Sequence, residues 1–62
     1  MEKIYITNFR QASAYISDGV QPIEMKYDLK KKVMVFIFRK EDTAVVWQKW
    51  MNGEYRNLFE RN

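Results

Sequence analysis

The chain has 62 residues, no cysteine and no histidine, and its 11 lysines and arginines outnumber its 8 aspartates and glutamates to give a formal net charge of +3. This length allows one domain, residues 1–62, and a domain of this size buries roughly 60% of the surface that its unfolded chain exposes. The missing residue types exclude disulfides, a cysteine nucleophile, a histidine general base and most zinc sites. We therefore expect a small domain that is not an enzyme and uses no cofactor.

The N-terminal part of the chain predicts a strand followed by a helix. Residues 2–6 are rich in β-branched and aromatic side chains, which is typical of a short strand. Asn8 fits the N-cap of a helix, Gln11 is placed to complete a capping box, and Gly19 fits the left-handed position after the last turn. The apolar residues of this helix share one side, which we expect to face the core: Phe9, Ala12, Tyr15 and Ile16.

The middle of the chain predicts a β-hairpin. After Pro22, apolar and charged residues alternate strictly as far as Lys30, which is the pattern of a half-buried strand. Residues 33–38 follow a basic turn and are apolar without a break, so we expect them to form a central strand with both faces covered.

The C-terminal part predicts a second helix and a short helical tail. Asp42 can cap the helix, and Asn52-Gly53 is typical of its end. Its apolar residues occupy one broad side: Ala44, Val46, Trp47, Trp50 and Met51. In the tail, Tyr55, Leu58 and Phe59 have helical spacing, which predicts a further turn or two folding back on the body.

These elements predict an α+β fold with the order β-α-β-β-α. Strands two and three pair as a hairpin, and a right-handed crossover through the first helix places strand one on the far side of strand three. The three-stranded sheet therefore has the strand order 2-3-1. Both helices are expected on one face, because each has an apolar side that needs cover.

The other face of the sheet is the expected interaction surface. It carries either Phe36 and Phe38 with Met34, or the alternate set Val33, Val35 and Ile37, and the sequence leaves both alternatives open. An exposed apolar centre with a polar rim is typical of a protein interface, so we expect a homodimer or another protein partner. The predicted contact residues are Tyr5, Phe36, Phe38 and, on the second helix, Trp50.

An alternative hypothesis is a regulator that binds nucleic acid through the same face. Aromatic rings on a sheet can stack on bases while neighbouring cations meet phosphates. The candidate cations are Lys26, Lys30, Lys31, Lys32 and Arg39. The lysine run also fits a solvated hairpin turn that discourages edge pairing, and the phenylalanines also fit an ordinary core.

Nothing in the sequence indicates a metal site or a membrane segment. The carboxylates are scattered, and the one adjacent pair, Glu41 and Asp42, fits helix capping. No apolar run approaches the roughly 18 residues of a membrane span, and the N-terminus does not resemble a signal peptide. We expect a cytoplasmic protein.

Three segments together carry a resemblance to a known family. They are Ile6-Thr7-Asn8-Phe9 with Ala12 and Tyr15, the strand end Val35-Phe36-Ile37-Phe38, and the segment 47–54, Trp-Gln-Lys-Trp-Met-Asn-Gly-Glu. Over roughly residues 4–55 the chain resembles short uncharacterised proteins of phages and mobile elements of Gram-positive bacteria. The resemblance implies a phage or mobile-element setting inside a bacterial host cell, and it implies no site residues.

Overall fold

The computed structural model describes residues 2–59 and has the predicted order of elements. The sheet and the helices lie in the following order: β1 (Lys3–Ile6), α1 (Phe9–Ser17), β2 (Glu24–Asp28), β3 (Val33–Arg39), a 3₁₀ turn (Lys40–Asp42), α2 (Ala44–Met51) and α3 (Arg56–Phe59). The tail helix α3 confirms the predicted helical turn after Gly53. The side chain of Phe59, which the prediction for the tail included, lies outside what the structure describes.

The three strands form one antiparallel sheet in the order β1-β3-β2. Ile4 lies opposite Phe38 on one side of β3, and Tyr27 lies opposite Met34 on the other. This confirms the strand order 2-3-1 and the α+β class. Strands β1 and β2 are therefore the two edges of the described sheet.

The core lies between one face of the sheet and the two main helices. Its buried cluster joins residues of β1, β3, α1 and α2: Ile6, Ala12, Tyr15, Phe36, Phe38 and Val46. The Tyr15 ring meets the Phe38 ring edge-on, with centroids 5.4 Å apart. Among the described residues, β2 contributes none to this cluster. The helices thus cover β1 and β3 and leave β2 at the uncovered edge.

Helix α1 begins and ends as predicted, except for one contact. Asn8 Oδ1 accepts hydrogen bonds from the backbone N–H groups of Arg10 and Gln11. The Gln11 side chain does not complete a capping box, because its Nε2 donates to the Tyr15 hydroxyl at 2.8 Å. At the other end Gly19 has φ +92°, and its N–H donates to the carbonyl of Ile16.

Helix α2 begins one residue later than predicted. Thr43 and not Asp42 is the N-cap residue, and neither Thr43 nor any other side chain caps the first turn. Asp42 belongs to the 3₁₀ turn, and the hydroxyl of Thr43 donates back to the Lys40 carbonyl at 2.8 Å. The predicted end is confirmed, since Gly53 has φ +76° and its N–H donates to the carbonyl of Trp50.

Candidate interaction surfaces

The sheet face that carries no helix displays the set Val33, Val35 and Ile37. Phe36 and Phe38 point the other way, because successive strand residues alternate between the two faces, and they are only 7% and 0% exposed. They share the helix side of the sheet with their cross-strand neighbours Ile6 and Ile4. This corrects the alternative that put both rings on the open face, and it removes them from the surface residues available to a partner. They are core residues.

The open face is also less apolar than expected. Ile37 is only 1% exposed, and its cross-strand neighbours Tyr5 and Glu24 flank it. Tyr5 remains exposed and borders a shallow hollow of about 240 Å³ above Val35 and Ile37. Of the predicted contact residues, Tyr5 is the one that the open face presents.

The structure spreads the predicted cations along β3. Lys26 lies on the neighbouring strand β2, opposite Val35. Three others, Lys30, Lys31 and Lys32, lie in the hairpin turn, where Asp28 Oδ1 accepts hydrogen bonds from the first two backbone N–H groups. Arg39 lies at the opposite end of β3, and its Nε is 4.0 Å from Asp42 Oδ2. A seven-residue strand spans roughly 20 Å, so these cations do not form one compact patch.

A group of exposed apolar side chains surrounds β2 on the helix side of the sheet. Met25 lies opposite Phe36 and Tyr27 lies opposite Met34, so all four share the face that the helices cover elsewhere. Met25 is nevertheless 57% exposed and Tyr27 is 55% exposed. Phe9 was predicted to face the core but is also exposed. Its ring lies at the margin of the core, with its centroid 6.2 Å from that of Phe36.

A second apolar surface lies along the flank of α2 next to β1, and we call it the α2 surface. It comprises Ile4, Ala44, Trp47 and Met51, the last three being spaced three and four residues apart on one side of the helix. A groove of about 290 Å³ lies between Ile4 and Trp47. The Trp47 side chain is 47% exposed.

The more exposed tryptophan is therefore Trp47 and not Trp50, the one predicted to be the anchor. Trp50 is half-buried against the core, and its ring lies 6.4 Å from that of Tyr55. The reason is that α2 turns Val46 and Trp50 inward, since these two are four residues apart and lie on one side of the helix.

A polar cluster joins α1, α2 and the tail. Asp18 Oδ2 accepts hydrogen bonds from Lys49 Nζ at 2.8 Å and from the Tyr55 hydroxyl at 2.7 Å. These two donors lower the pKa of Asp18, chiefly through Lys49. The carboxylate in turn raises the pKa of Lys49, while burial and the bond to Asp18 raise the pKa of Tyr55. The cluster fixes the tail to the body.

Other kinds of site are not apparent in the described part of the chain. Residues 2–59 contain no group of three or more carboxylates placed to hold a metal ion. No helix among them is both long enough and apolar enough to cross a membrane. Comparison of the chain with protein-family models, with curated proteins and with solved structures gives no match.

Sequence reasoning missed most of the exposed apolar residues. Met25 and Met34 have the alternation of inward-facing strand residues, and the pattern contains no signal that the helices leave β2 uncovered. The number of helices gives no such signal either, because two helices about 8–10 Å apart are wide enough to cover three strands about 4.8 Å apart. The exposure of β2 follows from where the helices pack over the sheet.

Proposed function

We propose that the protein is a non-enzymatic interaction module that acts by binding another protein, and that the α2 surface is its contact site. The observation that carries this proposal is the exposure of Trp47 beside a groove on a helix whose other side is packed in the core. Tryptophan is enriched among the residues that dominate binding energy at protein interfaces. The resemblance to phage and mobile-element proteins supports a host or phage protein in a bacterial cytoplasm as the partner.

The apolar lining of the groove, which has a volume of about 290 Å³, favours the side chains of a protein segment as its occupant. Ile4, Ala44 and Trp47 line it together with Lys40 and Thr43, and most of the lining is apolar. An amphipathic helix of a partner, which presents apolar side chains three and four residues apart, fits such a surface.

The test compares three variants of the same helix with wild type. Immobilised wild-type protein is exposed to lysate of a Gram-positive bacterium, in parallel with Trp47→Ala and with the control Val45→Ala, which removes an exposed side chain outside the α2 surface. We expect a protein that wild type and V45A retain and that W47A loses. Circular dichroism of W47A verifies that the fold is intact, and Met51→Glu provides a second disruption of the surface.

The purified partner is then titrated against the protein in about 50 mM and 200 mM salt. An apolar interface changes little in affinity over this range, whereas several phosphate contacts cost orders of magnitude. The proposal fails if every protein captured by wild type is captured equally by W47A and M51E.

A further inference from the structure

Both edges of the described sheet lack a pairing strand, and β2 is the edge strand whose side chains are the more exposed. Four consecutive residues from Glu24 to Tyr27 are exposed, although β2 is a full strand of five residues. The other edge, β1, has four residues and contributes Ile6 to the core. A free edge presents a row of unpaired backbone N–H and C=O groups to which another strand can bond.

The charges on β2 make this edge complementary to itself. A lysine in the middle of an edge strand usually discourages pairing, because a second copy would bring a second lysine. Here Lys26 stands beside Glu24 on the same face, with Nζ 3.6 Å from the carboxylate Oε2. Both signs of charge therefore lie two residues apart on a strand that can meet its own copy running in the opposite direction.

We propose that two copies of the chain associate by antiparallel pairing of their β2 strands, with Glu24 of each copy opposite Lys26 of the other. This deepens the proposed interaction function by naming a second copy as a partner, at an edge separate from the α2 surface. A two-fold axis at Met25 produces two identical Glu24–Lys26 contacts. The result is one continuous six-stranded sheet.

Neighbouring registers are less favourable. A shift of two residues places Lys26 opposite Lys26 and Glu24 opposite Asp28, and like charges directly opposite each other are destabilising. A shift of one residue would turn the apolar side of one strand against the charged side of the other.

The proposed register also brings the exposed apolar residues of β2 together. On the helix side of the sheet Met25 lies opposite Met25 of the second copy, and Ile23 lies opposite its Tyr27. These three side chains are among the exposed apolar residues of the single chain. Burial of these side chains stabilises the pairing of the two strands, and the charges on the open side of the sheet select its register.

A charge-exchange experiment tests both the edge and the register. Sedimentation equilibrium of wild type, Glu24→Lys and Lys26→Glu is measured over a roughly hundredfold range of protein concentration, alone and as an equimolar mixture of the two variants. We expect wild type to dimerise and each variant alone to associate about tenfold more weakly or worse, because each has two repulsive contacts in place of two attractive ones. The mixture recovers a dimer, since E24K carries two lysines on this edge and K26E two glutamates.

The mixture distinguishes contacts between two copies from effects of each substitution within its own chain. Each substitution also breaks the Glu24–Lys26 contact of its own strand, but mixing two variants cannot restore that contact. Glu41→Lys and Lys31→Glu change the net charge equally, lie outside the edge and are expected to leave dimerisation unchanged.

A monomeric wild type overturns the inference, and so does a dimer that both single variants preserve or a mixture that does not associate. Loss of partner capture in W47A is independent of all these outcomes, so the proposed function can stand or fail separately.

Discussion

Asp18 connects the end of α1 to α2 and to the tail through one carboxylate oxygen. Because its pKa is lowered in the folded protein, the unfolded chain binds the proton at a higher pH than the folded chain does. Its contribution to stability is therefore fully present above its ordinary pKa of 3.8 and is lost as the pH falls through the lowered value. The raised pKa of Lys49 acts at the alkaline end of the pH range. Its contribution to stability is fully present below 10.5 and is lost as the pH rises through the raised value.

We predict that Asp18→Asn changes the acid dependence of stability. The difference in free energy of unfolding between wild type and D18N, measured by urea denaturation, should be largest near neutral pH and should shrink as the pH falls below 3.8. Tyr55→Phe should reduce the same dependence in part, because it removes one of the two donors. Glu41→Gln controls for the loss of a carboxylate, and a D18N difference that is constant with pH would contradict the prediction.

Two residues with positive φ should respond to substitution in opposite directions. Gly53 has φ +76°, and a Cβ there would meet only the Arg56 Nη2 atom at 3.9 Å, so the cost of Gly53→Ala is in the backbone. We expect a loss of about 1 kcal/mol. Lys32 adopts φ +55° without being glycine, so Lys32→Gly should gain about 0.5 kcal/mol. Equal signs for the two changes in thermal or urea denaturation would show that the backbone explanation is wrong.

At the scale of elements, α2 offers a matched pair of valines. Val46 is 4% exposed in the core, while its neighbour Val45 is 68% exposed. We expect Val46→Ala to lower the free energy of unfolding by about 2 kcal/mol, through lost burial and an unfilled cavity. Val45→Ala should change it by less than about 0.5 kcal/mol. If both variants unfold at the same urea concentration, the orientation of α2 described above is incorrect.

The secondary-structure elements were largely predictable from the sequence, but which of their faces are buried was not. Local signals such as Asn8 and the two glycines determine where helices begin and end, and alternation determines which strand residues share a face. Whether a face is covered depends on where the helices lie over the sheet, which is a long-range property. For this reason the two phenylalanines of β3 could not be oriented from the sequence, and the exposure of Met25 could not be anticipated.

At the scale of the whole molecule, the small thickness of the domain helps to explain why so much apolar surface remains exposed. The described chain measures 34 × 27 × 17 Å, and its shortest dimension accommodates one sheet and one layer of helices. A two-layer domain has one sheet face without helices, and in this chain the helices also leave β2 uncovered. The exposed surfaces are thus a consequence of where the helices lie over the sheet, and the partners proposed above would cover them.

The distribution of charge over the molecule decides how the nucleic-acid alternative is tested. One strand length separates the hairpin lysines from Arg39, and Tyr5 is the only predicted aromatic contact that the described open face presents. We therefore expect no saturable binding of a fluorescent single-stranded oligonucleotide at about 50 mM salt, measured by anisotropy.

The alternative makes a quantitative prediction of its own. Lys26 and the three turn lysines could neutralise at most about four phosphates, which corresponds to a slope of about −3 in log affinity against log salt. Affinity would then fall by roughly 50-fold between about 50 mM and 200 mM salt. Such a slope, reduced in Lys30→Glu and Lys31→Glu but unchanged in W47A, would assign function to the hairpin end of the sheet, because only contacts at that end would then respond to both salt and substitution.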